Sequence, residues 1–325
     1  MSRSRIARVV PVCLNLSVIP AFIVGVASCM SHSHTAGHKA PRDADLAAEH
    51  RAWHAQRLAT LQAEDGWLTL VGLDFLPEGV STIGSAADAT FRYANCGEPI
   101  VGRIERAGGR VRFTPTSGGG AVDCTADDAG APTVLRSGSV SFTLVRRNGL
   151  LALRVRDNAS PVRTGFAGIA LFPHDPALRV EARVELPPVG ATVAITNVTG
   201  FVEEQPVAAV LRFRLPRVES EGAGGEPEGA VSERRFVATA GSGGRLFVVF
   251  GDETNGVETY GGGRFLDIAA PVDGVAWIDF NRATNPPCSF TPYATCPLPP
   301  EDNRLPVRVP AGEKFGKSSE SAAAH

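Results

Sequence analysis

The sequence predicts a mainly β protein, built of sandwich- or barrel-like antiparallel sheets and preceded by one N-terminal helix. Three observations carry this expectation. Short apolar or alternating runs recur from Trp67 to Phe280, with glycine and proline between them, as short-strand sandwiches and barrels require. Asn148-Gly149 joins two such runs, a hairpin signal because both residues tolerate positive φ. Only the segment from Asp45 to about Gln62 spaces its apolar residues as a helix does.

The elements follow in order. Asp45 is placed to cap that helix, and Leu46, Trp53, Leu58 and Leu61 give it an apolar side. His50 and His54 share a face four residues apart. A catalytic zinc needs three protein ligands, so the two are read as a surface pair. The expected strands are Trp67–Leu73, Arg110–Thr114, Val140–Arg147, Leu150–Arg156, Leu178–Leu186, Ala191–Val198, Ala208–Leu215, Arg234–Ala238, Leu246–Phe250 and Val275–Phe280. Residues 219–230 form an acidic, glycine-rich loop, and 316–325 read as a disordered tail. The body divides near residue 172. Residues 45–171 are then a helix plus β module, and 172–315 a β module ending in a proline-rich cysteine loop.

The first residues read as targeting rather than fold. Arg3, Arg5 and Arg8 precede an apolar stretch from Val9 to Val26, and Val26-Ala27-Ser28-Cys29 follows. Small residues before a cysteine form a lipobox, in which the Cys29 thiol takes a diacylglycerol and becomes the new N-terminus. Residues 1–28 are the expected signal peptide and 29–44 a polar tether carrying His32, His34 and His38. Acyl chains such as palmitate on Cys29 would hold the protein on a membrane. In a cell with two membranes, Met30 in place of aspartate favours the outer one, facing the periplasm.

Removing residues 1–28 leaves roughly 300 residues, enough for one large or two modest domains. The formal charge is −2, and the segment removed holds three arginines and no acids. A mildly acidic body with interspersed signs argues against nucleic acid as partner. Cys96, Cys124, Cys288 and Cys296 remain. Export makes disulfides the expectation, with local pairs Cys96–Cys124 and Cys288–Cys296 preferred, although spacing does not fix connectivity. Neither spacing suits a metal site, and no cofactor is expected. There is no Gly-x-Ser-x-Gly elbow, His-Glu-x-x-His, phosphate-binding loop or Cys-x-x-Cys.

The densest polar information lies between 251 and 304. Asp252, Glu258, Tyr260, Arg264, Asp279, Asn281, Asn285 and Tyr293 crowd into few residues. Glu258 and Asp279 are candidates for a carboxylate pair doing acid–base work. Arg264 is a candidate bidentate clamp on a polar ligand, and Tyr260 and Tyr293 could stack on a sugar ring. The same residues also suit a purely structural role, since Asp and Asn build turns and an Arg–Asp pair ties down a loop.

Four stretches carry a resemblance: Gly66-Trp67-Leu68-Thr69-Leu70-Val71-Gly72-Leu73; Arg154 to Phe166 with Asp157 and Ser160-Pro161; Glu258-Thr259-Tyr260 with Gly263-Arg264-Phe265-Leu266; and Asp279 to Pro300, followed by Asn303-Arg304-Leu305. The chain resembles a bacterial and archaeal family known as domain of unknown function number 1684. Phe75 stands where relatives often have tryptophan. The resemblance implies a domain spanning about residues 50–314 and implies no mechanism. The expected role is therefore a membrane-anchored lipoprotein outside the cytoplasm that binds a small polar molecule or carbohydrate. Its rivals are a cofactor-free hydrolase or lyase using Glu258 and Asp279, and an envelope scaffold binding another protein.

Overall fold

The computed structural model describes residues 43–216 and 233–315. The signal segment, Cys29, the tether histidines, loop 219–230 and the tail 316–325 lie outside them. Helix α1 (Asp43–Gln62) starts two residues before the expected Asp45. Strands β1 (Leu70–Phe75), β2 (Gly79–Gly84), β3 (Phe91–Arg92), β4 (Gly102–Ala107), β5 (Arg110–Pro115), β6 (Val122–Asp123), β7 (Val134–Ser137), β8 (Val140–Arg147) and β9 (Leu150–Asp157) follow. After a single-turn helix α2 (Pro161–Thr164) come β10 (Arg179–Glu185), β11 (Thr192–Thr196), β12 (Val202–Arg214), β13 (Glu233–Ala240), β14 (Leu246–Phe250), β15 (Arg264–Ile268) and β16 (Val275–Asp279). The fold is mostly β, as the sequence predicts.

These strands form three sheets, ordered β1-β9-β8-β7, β3-β2-β4-β5-β6 and β15-β14-β13-β12-β10-β16, with β11 paired to β12. All pairs are antiparallel except β2 with β3. In the third sheet β15 and β16 approach each other, so the sheet curls nearly closed into a barrel. The Asn148-Gly149 turn joins β8 to β9, and both residues have positive φ (51° and 77°), as a type I′ hairpin demands.

Two separate cores result. The first two sheets enclose Ile83, Ile104, Phe113, Phe142, Leu153 and Val155. The barrel encloses Phe213, Phe236, Phe250 and Phe280, whose ring centroids lie 4.8–6.2 Å apart. Each buried phenylalanine stabilises the fold by about 1.5–3 kcal/mol relative to exposure. The described residues nevertheless belong to one compact unit. Two small clusters bridge the halves: Leu61 and Leu68 on Phe290, and Leu70 on Ala294 and Cys296.

The helix is tied to the C-terminal end of the fold by polar contacts. Arg57 donates to the buried carboxylate of Glu313 (2.8 Å) and to the Asn285 carbonyl (3.0 Å). The histidine expectation is corrected here. His50 is buried, donating from Nε2 to the Asn281 carbonyl (2.9 Å) and packing on Trp53 and His174. The turn after β16 covers this helix face, a long-range contact that helical spacing could not reveal.

Candidate functional site

The polar residues between 251 and 304 spend their hydrogen bonds on the fold. Asp252 accepts from the Thr254 amide (2.8 Å) and Asn255 Oδ1 accepts from the Asp252 amide (2.8 Å). Asn255 Nδ2 then reaches Thr259 Oγ1 (2.9 Å). Among the described residues, Arg264 is the largest fully buried side chain. It pairs with the equally buried Asp252 and donates to the carbonyls of Val309 (2.9 Å) and Ala311. Burial depresses the guanidinium pKa, and Asp252 opposes this. Just before Arg264, Gly263 has φ of 89°, and a Cβ there would sit 2.7 Å from the Phe250 carbonyl and 2.4 Å from Pro299. Glycine is the residue that allows Arg264 to turn inward.

The two candidate carboxylates occupy different networks. Glu258 pairs with Arg308. Asp279 accepts from the Asn281 amide (3.1 Å) and side chain (3.0 Å) and lies 3.2 Å from Arg282 Nε. Asn281 also exchanges bonds with the Asp175 backbone (2.8 and 2.9 Å). Asn303, not among the candidates, bridges strands: its Oδ1 accepts from the Val237 amide (2.7 Å) and its Nδ2 serves Val237 and Val249 carbonyls (both 2.9 Å). Tyr260 packs edge-on against Phe315 (5.2 Å). Burial and Cys288 raise its phenol pKa.

All four described cysteines are free thiols, so the local disulfides of the sequence reading are not closed in this structure. Cys288 and Cys296 are nonetheless adjacent, with the Cys288 amide donating to Cys296 Sγ (3.1 Å). Hydrogen bonding between the two holds the Cys288 thiol low and, with burial, pushes the Cys296 thiol up. Cys96 is buried and Cys124 half-buried in one core, and burial raises both thiols.

A cavity of about 650 Å³ opens elsewhere, between the two halves of the body. That size falls in the usual range of small-molecule pockets, about 300–1,000 Å³. One wall is the start of β1, with Leu68, Leu70 and Val71; another is α2 and its sequel, including Val162, Phe166 and Ile169. The third is the cysteine loop and the chain's last described residues, with Asn285, Phe290, Thr291, Tyr293, Lys314 and Phe315. Of the eight candidate residues, Asn285 and Tyr293 line this cavity and the other six do not. Three of the four stretches that carry the resemblance converge on it: Gly66–Leu73, Arg154–Phe166 and Asp279–Pro300. Polar spacing alone misses it, because its walls are largely apolar and far apart in sequence.

Asn285 is the polar hinge of the third wall. Its amide donates to Glu313 (2.6 Å), its Nδ2 donates to the Lys314 carbonyl (3.0 Å), and its Oδ1 is buried without a partner. Ser289 Oγ donates to the Pro286 carbonyl (2.7 Å) and Thr291 Oγ1 to the Leu70 carbonyl (3.0 Å). Among the described residues, no group of three or more His, Cys, Asp or Glu gathers as a metal cage. Nor is any helix there long and apolar enough to cross a membrane.

Fold and site together define a two-core β protein with a cavity at the junction of its halves. The family described as protein of unknown function (DUF1684) matches residues 164–314. A solution NMR structure of an uncharacterized protein from Haloarcula marismortui is 30% identical, covers 47% of this chain and 79% of its own, and superposes with a TM-score of 0.35. No curated protein matches. The chain belongs to the DUF1684 family.

Proposed function

We propose that this chain is an exported, lipid-anchored protein that binds a small, largely apolar molecule in the cavity between its halves. One observation carries the reading: three segments distant in sequence build a single cavity of about 650 Å³, mostly apolar with a few polar groups. That is the usual composition of a ligand site. The anchor rests on the lipobox at Cys29. The oxidising compartment that export implies would close Cys288–Cys296 by exchange with a donor disulfide, stiffening the loop that bears Phe290 and Tyr293. Geometry favours binding over hydrolysis, because Glu258 and Asp279 are each engaged by a separate arginine.

The test uses residues 30–325, which contain the whole compact unit, and follows unfolding temperature against apolar molecules and sugars. Ala167 is an exposed wall residue, so Ala167→Trp fills the cavity from its rim. A ligand that raises the wild-type midpoint and not that of folded Ala167→Trp supports the reading. A sugar that stabilises both, and loses its effect in Glu258→Gln, would move the site to the polar block. Labelling of the full chain with radioactive palmitate should disappear in Cys29→Ala. Retained label would remove the anchor from the proposal.

A further inference from the structure

We propose that the molecule taken by this cavity is an amphipathic acid, an apolar body ending in one anionic group that pairs with Lys314. The proposal rests on the cavity reading above and deepens it. Among the described residues, Lys314 is the one charged residue in the cavity wall. Its backbone is fixed on both sides, its N–H donating to the Ala170 carbonyl (2.8 Å) and its carbonyl accepting from Asn285 (3.0 Å). The side chain is half-buried, with Nζ 4.4 Å from the centre of the Phe172 ring. Among the described residues no carboxylate pairs with it. A cation held beside apolar walls, without a counter-charge, is the feature that an anion would complete.

The other wall groups point to the same class. A sugar needs several free donors and acceptors facing it, but Ser289 and Thr291 already donate to backbone carbonyls and the Asn285 amide group to Lys314. What remains is the Asn285 Oδ1 acceptor and the Ser160 and Tyr293 hydroxyls, set in a mostly apolar surface from Leu68, Leu70, Val162, Phe166, Ile169 and Phe290. Such walls reward methylene groups, about fourfold in affinity for each one buried.

Calorimetric titration of residues 30–325 with dodecanoate, dodecan-1-ol and dodecyltrimethylammonium, each below its micelle concentration, decides the matter. Dodecanoate should bind wild type at least tenfold more tightly than the alcohol, and the ammonium compound most weakly. Lys314→Gln should abolish the preference for the acid and leave the alcohol unchanged, Lys314→Arg should keep it, and Ala167→Trp should weaken all three. Equal binding of acid and alcohol by wild type overturns the acidic-head assignment while leaving the cavity reading intact. Ligands that bind Ala167→Trp as well as wild type overturn both. Binding that appears only after residues 316–325 are removed would make the chain's own tail the occupant, and would also overturn the proposal.

Discussion

The polar block at 251–304 and the cavity beside it differ in how they treat polar groups. In the block, Asp252, Arg264, Asn281 and Asn303 are buried and bonded to one another or to backbone. The cavity has mostly apolar walls and one cation with no carboxylate partner among the described residues. A crowd of polar residues therefore marks where an irregular chain must satisfy its own backbone. Function is better sought where apolar surface stays open and a charge is left unmet.

The sharpest way to break this contrast is Asp252→Ala. It leaves the Arg264 cation buried and unpaired, and should cost about 3–5 kcal/mol in chemical denaturation. Adding Arg264→Met should recover more than half of that loss, whereas a loss under about 1 kcal/mol would show that the pair is not a clamp. Asn303→Ala should cost about 2–3 kcal/mol, since it orphans the Val237 and Val249 backbone groups. Unfolding that matches wild type would show that water replaces the side chain. On the cavity side, Ala167→Trp should change stability by no more than about 1 kcal/mol, as expected at an exposed position. A larger loss would mean that the wall is packed rather than open.

The smallest expected effect is a pH dependence at the helix contact. Burial holds the His50 pKa below its ordinary 6.5; the Asn281 carbonyl opposes this, His174 adds to it, Asp279 opposes and His54 adds. The unfolded chain then binds the proton more readily. The stability that His50 contributes is full above its ordinary value and declines as pH falls from there toward the lowered one. Unfolding midpoints taken from pH 7.5 to 5 should show this decline, and His50→Asn should flatten it. An unchanged slope would assign the decline to other groups.

Part of this was legible in the chain. Alternation marks β5, because side chains alternate across a sheet, while short, mainly apolar runs mark the more deeply buried β8, β9 and β14. Strands β2, β3 and β4 were not expected, because glycine stands at both ends of β2 and at the start of β4, and β3 has only two residues. The polar candidates were legible as a cluster in sequence. Their burial was not, because it depends on Val309 and Ala311 folding back over Arg264 from more than forty residues away.

By itself, then, the sequence determined the β class, the N-terminal helix, the Asn148-Gly149 hairpin and the family, since each is written in local spacing or in short motifs. Tertiary structure alone decided that Arg264 is a buried clamp, that His50 is covered, and that Leu68, Phe166 and Phe290 meet around one cavity beside Lys314. The physical reason is distance along the chain. Hydrogen-bond satisfaction and apolar enclosure are set by which segments come together, and residues far apart along the chain carry no local sign of their meeting.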